Sequence, residues 1–356
     1  MMGSTRSVSK SFSSALTLAA LATYGLTASG TVQAEAQAEN SPLIHGPAGH
    51  APIGVMMDHM HSEGEWMVSY RQMQMNMQDM RDGTSRVDAD DVTSGANAKM
   101  MGLDEMDMTM HMVGVMYAPT DQLTLALMGG YVTKEMDMVT GMGQERSQEN
   151  SGVTDSKLTV MFRTDPNPSN ALNWHMGLAL NIPTGNVDET FNNMMGMDTK
   201  HGYPMQLGSG SWDFTPSVTV RGFGDAVSWG AQLNATVRTD NNSEGYRLGN
   251  RVDATGWVAY SVADWMSVSA RVKGEAWGSI RGEDDDLNAM MSPGTDADLT
   301  GGERVWALAG VNWMVRDGQL AGHRLAIEYG EPVYEDLHGP QGSANWMATA
   351  GWQYAF

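Results

Sequence analysis

The sequence predicts an all-β protein: a transmembrane antiparallel up-and-down β-barrel of about 12 strands, with short periplasmic turns and long extracellular loops. Three observations point there. Segments close to the roughly 9–11 residues that a tilted strand needs to cross a bilayer recur along the chain with alternating side chains. The links between them alternate strictly between short and long. The chain also ends on an aromatic residue, Phe356.

The chain starts with a basic stretch (Arg6, Lys10), an apolar run (Ala15 to Leu26) and small-residue cleavage sites at Val32-Gln33-Ala34 or Ala34-Glu35-Ala36, the three parts of a secretory signal. Residues 1–34 are therefore expected to be removed. Residues 35–64 show no strand pattern but are rich in His and Met (His45, His50, Met56, Met57, His59, Met60, His61), and are expected to form a periplasmic extension or a plug in the barrel mouth. Residues 65–356 are assigned to the barrel. No later stretch holds eighteen consecutive apolar residues, so any spanning must be done by strands.

Strand one starts at Glu65, with Trp66, Val68 and Tyr70 facing one way and Ser69 and Arg71 the other; Gln78 to Asp104 reads as a polar loop. Strand two, Glu105 to Tyr117, turns through Ala118-Pro119-Thr120-Asp121 into strand three, Leu123 to about Met138. After a loop from Val139 to Gly152, strand four (Asp155 to Arg163) turns at Asp165-Pro166-Asn167-Pro168 into strand five (Leu172 to Ile182). The longest loop, Pro183 to Ser211, precedes strand six (Trp212 to Gly222), a Gly224-Asp225 turn and strand seven (Val227 to Thr239). Strand eight (Arg251 to Ser261) passes through Ala263-Asp264 into strand nine (Met266 to Gly278). An acidic loop, Ser279 to Gly302, leads to strand ten (Glu303 to Trp313), a turn at Arg316-Asp317-Gly318, strand eleven (Arg324 to Tyr334) and a final loop. The closing strand, Ala344 to Phe356, puts Trp346, Ala348, Ala350, Trp352, Tyr354 and Phe356 on one face, and Asn345, Met347, Thr349, Gly351 and Gln353 on the other. One face suits lipid and the other water, and this ending resembles the recognition signal of bacterial outer-membrane β-barrels. An even strand number with this loop asymmetry puts both termini in the periplasm and the protein in the bacterial outer membrane, against the lipid bilayer and lipopolysaccharide.

Composition narrows the function classes. There are no cysteines, so no disulfide framework, thiolate site or iron–sulfur cluster is available. The formal charge is −21, becoming −23 once Arg6 and Lys10 leave with the signal, which argues against nucleic acid as a partner. Catalytic signatures of the G-x-S-x-G, H-E-x-x-H and Walker types are missing. Twelve-stranded outer-membrane lipases form a class, but His111 is the sole histidine placed to serve such a site and no serine stands obviously beside it, so no enzyme is expected.

Pro183-Thr184-Gly185 after a strand, Leu207-Gly208-Ser209-Gly210-Ser211-Trp212-Asp213 opening the next, and the terminal Phe356 resemble the outer-membrane transporter family associated with a phenol-degradation pathway. The resemblance covers most of the barrel. It implies a transport channel for small solutes and carries over no catalytic residues. The Met-rich first third departs from the family pattern.

Assigning the more apolar phase of each strand to lipid leaves a basic inner wall, because a lipid-facing Arg or Lys at mid-bilayer costs roughly 2–4 kcal/mol. The expected pore-lining set is Arg71, Lys157, Arg163, His175, Arg221, Arg238, Arg251, Arg271, Lys273 and Arg324, with Asn173 on the same wall and Asp253, Glu275 and Glu328 as the inner acids. Glu145, Glu149, Asp188, Glu189, Asp284, Asp285, Asp286, Asp296 and Asp298 fall in loops as an external acidic coat. Such a wall either draws small anionic or aromatic organic solutes through the pore, or pairs internally and fills a barrel too narrow to conduct.

Thirty-two methionines are the remaining oddity, fifteen of them between Met56 and Met116. Thioethers are soft ligands that select Cu(I), and alternate strand positions lie about 7 Å apart. The expected metal set is His59, His61, Met57, Met60, Met73 and Met75, with copper the one cofactor the composition suggests, for metal uptake or tolerance. The alternative is flexible apolar filler. Arg71 shares its phase with Met67, Met73 and Met75, which predicts that these point inward. Glu105, Asp107 and His111 oppose Met106, Met108, Met110, Met112 and Met116, which would turn the second row toward lipid, so the phases of the two rows conflict and leave their orientation open.

Overall fold

In the computed structural model, which describes residues 46–95, 98–164, 172–192 and 196–356, antiparallel strands close into a barrel. They are β1 (Trp66–Gly83), β2 (Met101–Thr120), β3 (Leu123–Thr140), β4 (Ser156–Phe162), β5 (Leu172–Ile182), β6 (Asp213–Phe223), β7 (Val227–Arg238), β8 (Arg251–Ala263), β9 (Met266–Trp277) and β10 (Gly302–Met314). The last extended stretch, His323–Ala355, is 33 residues long and doubles back on itself. Its first arm, β11 (324–337), pairs with β10, and its second, β12 (341–355), pairs with β1. Gly339 sits at the bend with a φ of +93°, a left-handed value that glycine adopts without a Cβ penalty. Arg324 bonds to Gln353, and Ser343 to Glu335, so the two arms lie side by side. Each strand neighbours the next in sequence and β12 returns to β1, so counting the arms separately gives twelve strands.

The expected signal segment, His45 and the turn at 165–168 lie outside the described residues. No helix among the described residues is long and apolar enough to cross a membrane. The outer surface carries the predicted apolar face: Val113, Leu127, Leu158, Val160, Leu178, Leu233, Val258, Val272, Leu325 and Ile327 are exposed, and Trp66, Trp265 and Phe356 are exposed where the short turns and the chain end lie. The seam is sealed by reciprocal bonds between Trp66 and Phe356, each amide donating to the other's carbonyl at 2.9 Å.

Several stretches predicted as loops contain strand, two of them on the long strands at the upper rim. β1 runs on through Gln78 to Gly83, and Glu145–Val153 pairs with the upper part of β3, so Glu145 and Glu149 sit on a sheet edge rather than in a loop. β1, β2 and β3 are 18, 20 and 18 residues long, well beyond the ~9–11 that a bilayer requires. Their upper ends stand clear of hydrocarbon. Both faces can be polar there, so the dyad alternation fades while the backbone ladder continues. The acidic coat is also incomplete: Asp284 is buried and paired with Lys200, and Asp296 pairs with Lys99 at 2.6 Å.

The motifs at 183–185 and 207–213 meet across this upper rim. The Asp155 carboxylate accepts bonds from the Gly185 amide (3.1 Å), the Ser209 amide (2.9 Å) and the Ser209 hydroxyl (2.6 Å). Gly185 and Gly208 lie so close that a Cβ on either would run into the other's backbone. The shared signature is therefore a knot that ties the longest loop to the top of β4.

A charge placed on the lipid face reports the membrane register. Leu178→Arg on β5 is expected to cost about 2–4 kcal/mol if that position lies at mid-bilayer depth. Denaturant unfolding of the bilayer-reconstituted protein measures it, and Thr219→Arg, whose side chain starts from the opposite face, serves as the comparison.

Candidate functional site

The interior has two halves, filled in different ways. In the half nearest the short turns lies the segment 46–64, folded inside the barrel. Its backbone is buried, so its carbonyls must find donors, and the wall supplies them. Arg221 donates to Gly49 O (2.9 Å), Arg324 to Ala51 O (2.6 Å), Gln232 to Met56 O (3.0 Å), and Asn312 to Pro47 O (3.3 Å), while His175 meets Met57 O at 3.0 Å. In return the His61 amide donates to Thr124 Oγ1 at 3.2 Å. Gly54 passes so close to Arg271 and Glu328 that a Cβ there would overlap their side chains. A glycine is required where the chain presses flat against the wall.

The turn of this segment gathers His50, Asp58, His59 and His61. The rings of His50 and His59 are 4.8 Å apart, as are those of His59 and His61. Asp58 joins His59 Nδ1 at 2.9 Å and accepts the Ala51 amide at 2.9 Å; Glu65 meets His61 Nδ1 at 3.1 Å. Burial, followed by the nearby Arg324 charge, pushes His50 well below the ordinary imidazole range. Burial likewise lowers His59, against the pull of Asp58. Burial pushes Asp58 upward, yet His59 and Arg221 outweigh it and hold the carboxyl well below its usual range. A cavity of about 170 Å³ adjoins His50, His59 and His61, also lined by Arg163, Asn173, Arg221 and Arg324.

Most of the other wall cations already have carboxylate partners. Arg271 and Glu328, both almost fully buried, pair through two bonds of 2.8 and 2.6 Å. Arg251 bridges Asp253 (2.8 Å) and Glu275 (2.5 Å), Lys273 pairs with Glu275, Arg238 with Asp213, and Arg304 with Glu335. Lys157 lines a small gap beside Asp58 and Arg71. The ten predicted wall residues thus divide by what they bind. Arg221, Arg324 and His175 bond to the inserted segment, and Arg163 lines its cavity. Arg71 and Lys157 line the small gap that Asp58 also borders. Arg238, Arg251, Arg271 and Lys273 belong to ion pairs.

Above the inserted segment lies a second cavity of about 350 Å³, mainly apolar, lined by Met77, Met80, Leu103, Met106, Met136 and Met138 together with Trp277, and by Arg238, Arg251 and Arg304 on the opposite side. The strand register decides the orientation of the second methionine row, which the sequence leaves open. Directly paired residues of antiparallel strands point the same way, and the register sets Met67, Arg71, Met73, Met75 and Met77 opposite Met116, Met112, Met110, Met108 and Met106. Both rows therefore face inward, and β3 adds Met136 beside Met106. The charges opposing the row mislead because Glu105 and Asp107 lie on the part of β2 that projects past the bilayer, where an outward carboxylate is solvated. His111 meets the Tyr70 hydroxyl on the outer face at 2.7 Å.

The predicted metal set is not brought together. His59, His61 and Met60 share the cavity of about 170 Å³. Met57 and Met60 pack on Met67 and Met116, whereas Met73 and Met75 pack with Trp306, Leu308 and Met347 on another part of the wall. Sequence pattern does not single out Asp58, Arg304 or Trp277; strand pairing across the barrel, which no local spacing encodes, brings the latter two to the methionines. Over the apolar cavity the loops interlock: Tyr203 and Tyr246 stack edge-on at 4.8 Å, and Lys200 bridges Glu244 and Asp284. Glu244, Asp284 and Asp286 converge there, but Lys200 already neutralises two of them.

A family model described as "Putative MetA-pathway of phenol degradation" matches residues 115–296. Among solved structures, the chain is similar to the COG4313 outer membrane channel from Pseudomonas putida F1, with a TM-score of 0.58 and 14% identity over 85% of this chain and 100% of that one. Looser likenesses are the translocator domain of the autotransporter NalP from Neisseria meningitidis (TM-score 0.42, 11% identity, 84% and 91% covered) and the P. putida toluene transporter TodX (TM-score 0.41, 10% identity, 83% and 90% covered). No curated protein matches the sequence.

Removing one partner of the Arg271–Glu328 pair leaves a buried charge without compensation. Glu328→Gln is expected to destabilise the barrel by about 3–5 kcal/mol, read as a lowered unfolding temperature in detergent, with a smaller loss in the double variant Arg271→Met/Glu328→Gln.

Proposed function

The chain belongs to that family and sits in the bacterial outer membrane, and on this premise we propose that it is a channel for small organic solutes with an apolar or aromatic body. The observation that carries this is the methionine-lined cavity. At about 350 Å³ it falls within the ~300–1,000 Å³ of small-molecule sites. Its wall pairs polarizable thioethers with the Trp277 ring, a surface that adapts to flat apolar solutes of varied shape. The guanidiniums around it give a solute's hydroxyl or carboxylate something to orient against. They do not make the pore strongly basic, since Arg238, Arg251 and Arg304 each pair with a carboxylate. A preference for aromatic solutes over small anions as a class follows from that compensation. The segment 46–64 closes the other half, so passage involves its displacement. Met106→Trp with Leu103→Trp, which fills the cavity, is expected to lower phenol flux into proteoliposomes at least tenfold while chloride flux changes less; unchanged phenol flux would remove this reading.

A second reading, copper capture, has one specific observation behind it. Met77, Met106 and Met136 are neighbours on three consecutive strands and pack with Met138 and Met205. Cross-strand Cβ atoms lie about 4.5–5.5 Å apart, close enough for several thioethers to reach one soft Cu(I) ion. Leucine keeps the volume and removes the sulfur. The Met77→Leu/Met106→Leu/Met136→Leu variant is expected to lose Cu(I) retention against a competing chelator; retention equal to the wild type would exclude this site.

A further inference from the structure

The inserted segment carries a cluster that the solute reading does not use. His50, Asp58 and His59 each offer one ligand atom, and these atoms all lie within 4.8 Å of one another. His61 stands on the other side of His59, with ring centroids 4.8 Å apart. His50 Nδ1, His59 Nε2 and His61 Nε2 are buried and have no hydrogen-bond partner among the described residues. An unpartnered ring nitrogen in the interior forfeits its bond to water, so three together in one place call for an explanation. The other nitrogens of two rings are engaged as they are around metal-bound imidazoles: Asp58 holds His59 Nδ1 and Glu65 holds His61 Nδ1, which fixes each ring and leaves its Nε2 free.

We propose that His50, Asp58, His59 and His61 form a binding site for a divalent transition-metal ion of the imidazole-preferring class, Zn²⁺ or Cu²⁺, and that the ion latches the inserted segment closed. The donors are three imidazoles and a carboxylate, a set that suits Zn²⁺ and Cu²⁺ and does not suit Ca²⁺ or Mg²⁺, which take oxygen ligands. Of the guanidiniums around the cluster, Arg221 and Arg324 donate to the carbonyls of Gly49 and Ala51, Arg163 lines the same cavity and Arg71 stands beside Asp58; the carboxylates of Asp58 and Glu65 bring negative charge to the same place. The site is separate from the methionine row, which faces the other cavity and would select a monovalent soft ion.

All four donors belong to the segment itself. His50 lies on one leg and residues 58–61 on the other, with a turn between them in which the Val55 amide bonds Pro52 O at 2.9 Å. An ion shared by the two legs ties off that turn. It thereby fixes the shape in which Gly49 and Ala51 reach the wall arginines. Loss of the ion loosens the segment without touching the barrel.

The test uses the folded full chain in detergent, with Zn²⁺ and Cu²⁺ as probes. One Zn²⁺ per chain is expected to be retained against a chromogenic chelator, with affinity at least tenfold weaker in His50→Ala and in His59→Ala. Asp58→Asn, which keeps the shape, is expected to weaken it as well. Bound Cu²⁺ should show nitrogen couplings in its paramagnetic resonance spectrum, lost in the same variants, and chelation should speed protease cleavage within residues 46–64. Strand content and heat-modified gel mobility confirm that the variants fold. Zn²⁺ retained no better by the wild type than by the histidine variants overturns the proposal. So does retention that survives in them and disappears in the Met77→Leu/Met106→Leu/Met136→Leu protein.

Discussion

The interior is organised by one requirement: a peptide backbone lies inside the barrel, and every buried carbonyl on it needs a donor. Meeting that requirement decides which wall residues can do anything else. Arg221 and Arg324 are committed to Gly49 and Ala51, each bond being charge-assisted and of order 1.5–3 kcal/mol. Gln232 and Asn312 are committed in the same way. Arg238, Arg251, Arg271 and Arg304 stand beside Asp213, Glu275, Glu328 and Glu335, and are neutralised in place. A wall that reads as basic in sequence is thus partly occupied by the chain's own backbone and partly self-compensated, which leaves the upper cavity to the methionines and its apolar character intact.

Most of the barrel is legible in the sequence because its signal is local. Leu172–Ile182 has the predicted ends, and β6 to β10 differ from the predicted spans by a residue or two, since an outward Leu178 or Val258 next to an inward His175 or Trp257 is a period-two pattern that any window reveals. The errors collect where that contrast ends. Above the bilayer, solvent tolerates Gln78, Asp107 and Glu145 on the outer face, so hydropathy no longer separates out from in, although Gln78 still pairs with Glu105 and Glu145 with Val139. The rule that the more apolar phase faces lipid fails on β2 for the same reason. There the apolar phase is methionine, and methionine lines the lumen.

The candidate sites are less legible, and the cause is again one of range. The histidines of the inserted segment are close in sequence and stand out by composition. Asp58 does not, because a single aspartate carries no spacing signature until its partners at His59 and Ala51 are known. The methionine cavity depends on β1, β2 and β3 lying in register with one another and on Trp277 and Arg304 approaching from across the barrel. Those are contacts over tens to hundreds of residues, fixed by closure rather than by any motif. The signature that is shared with the family, by contrast, proves to be scaffolding: Asp155 gathers Gly185 and Ser209 and ties down a loop.

The seam between Trp66 and Phe356 has a consequence for biogenesis. β1 is sealed by β12, and β12 is one half of a hairpin whose other half seals β10. Until that hairpin arrives, the sheet has two open edges, each a row of unmet amides and carbonyls that hydrocarbon cannot satisfy. Insertion therefore depends on that hairpin: a form lacking β12 leaves the edges of β1 and β11 unpaired and has no closed shape to adopt.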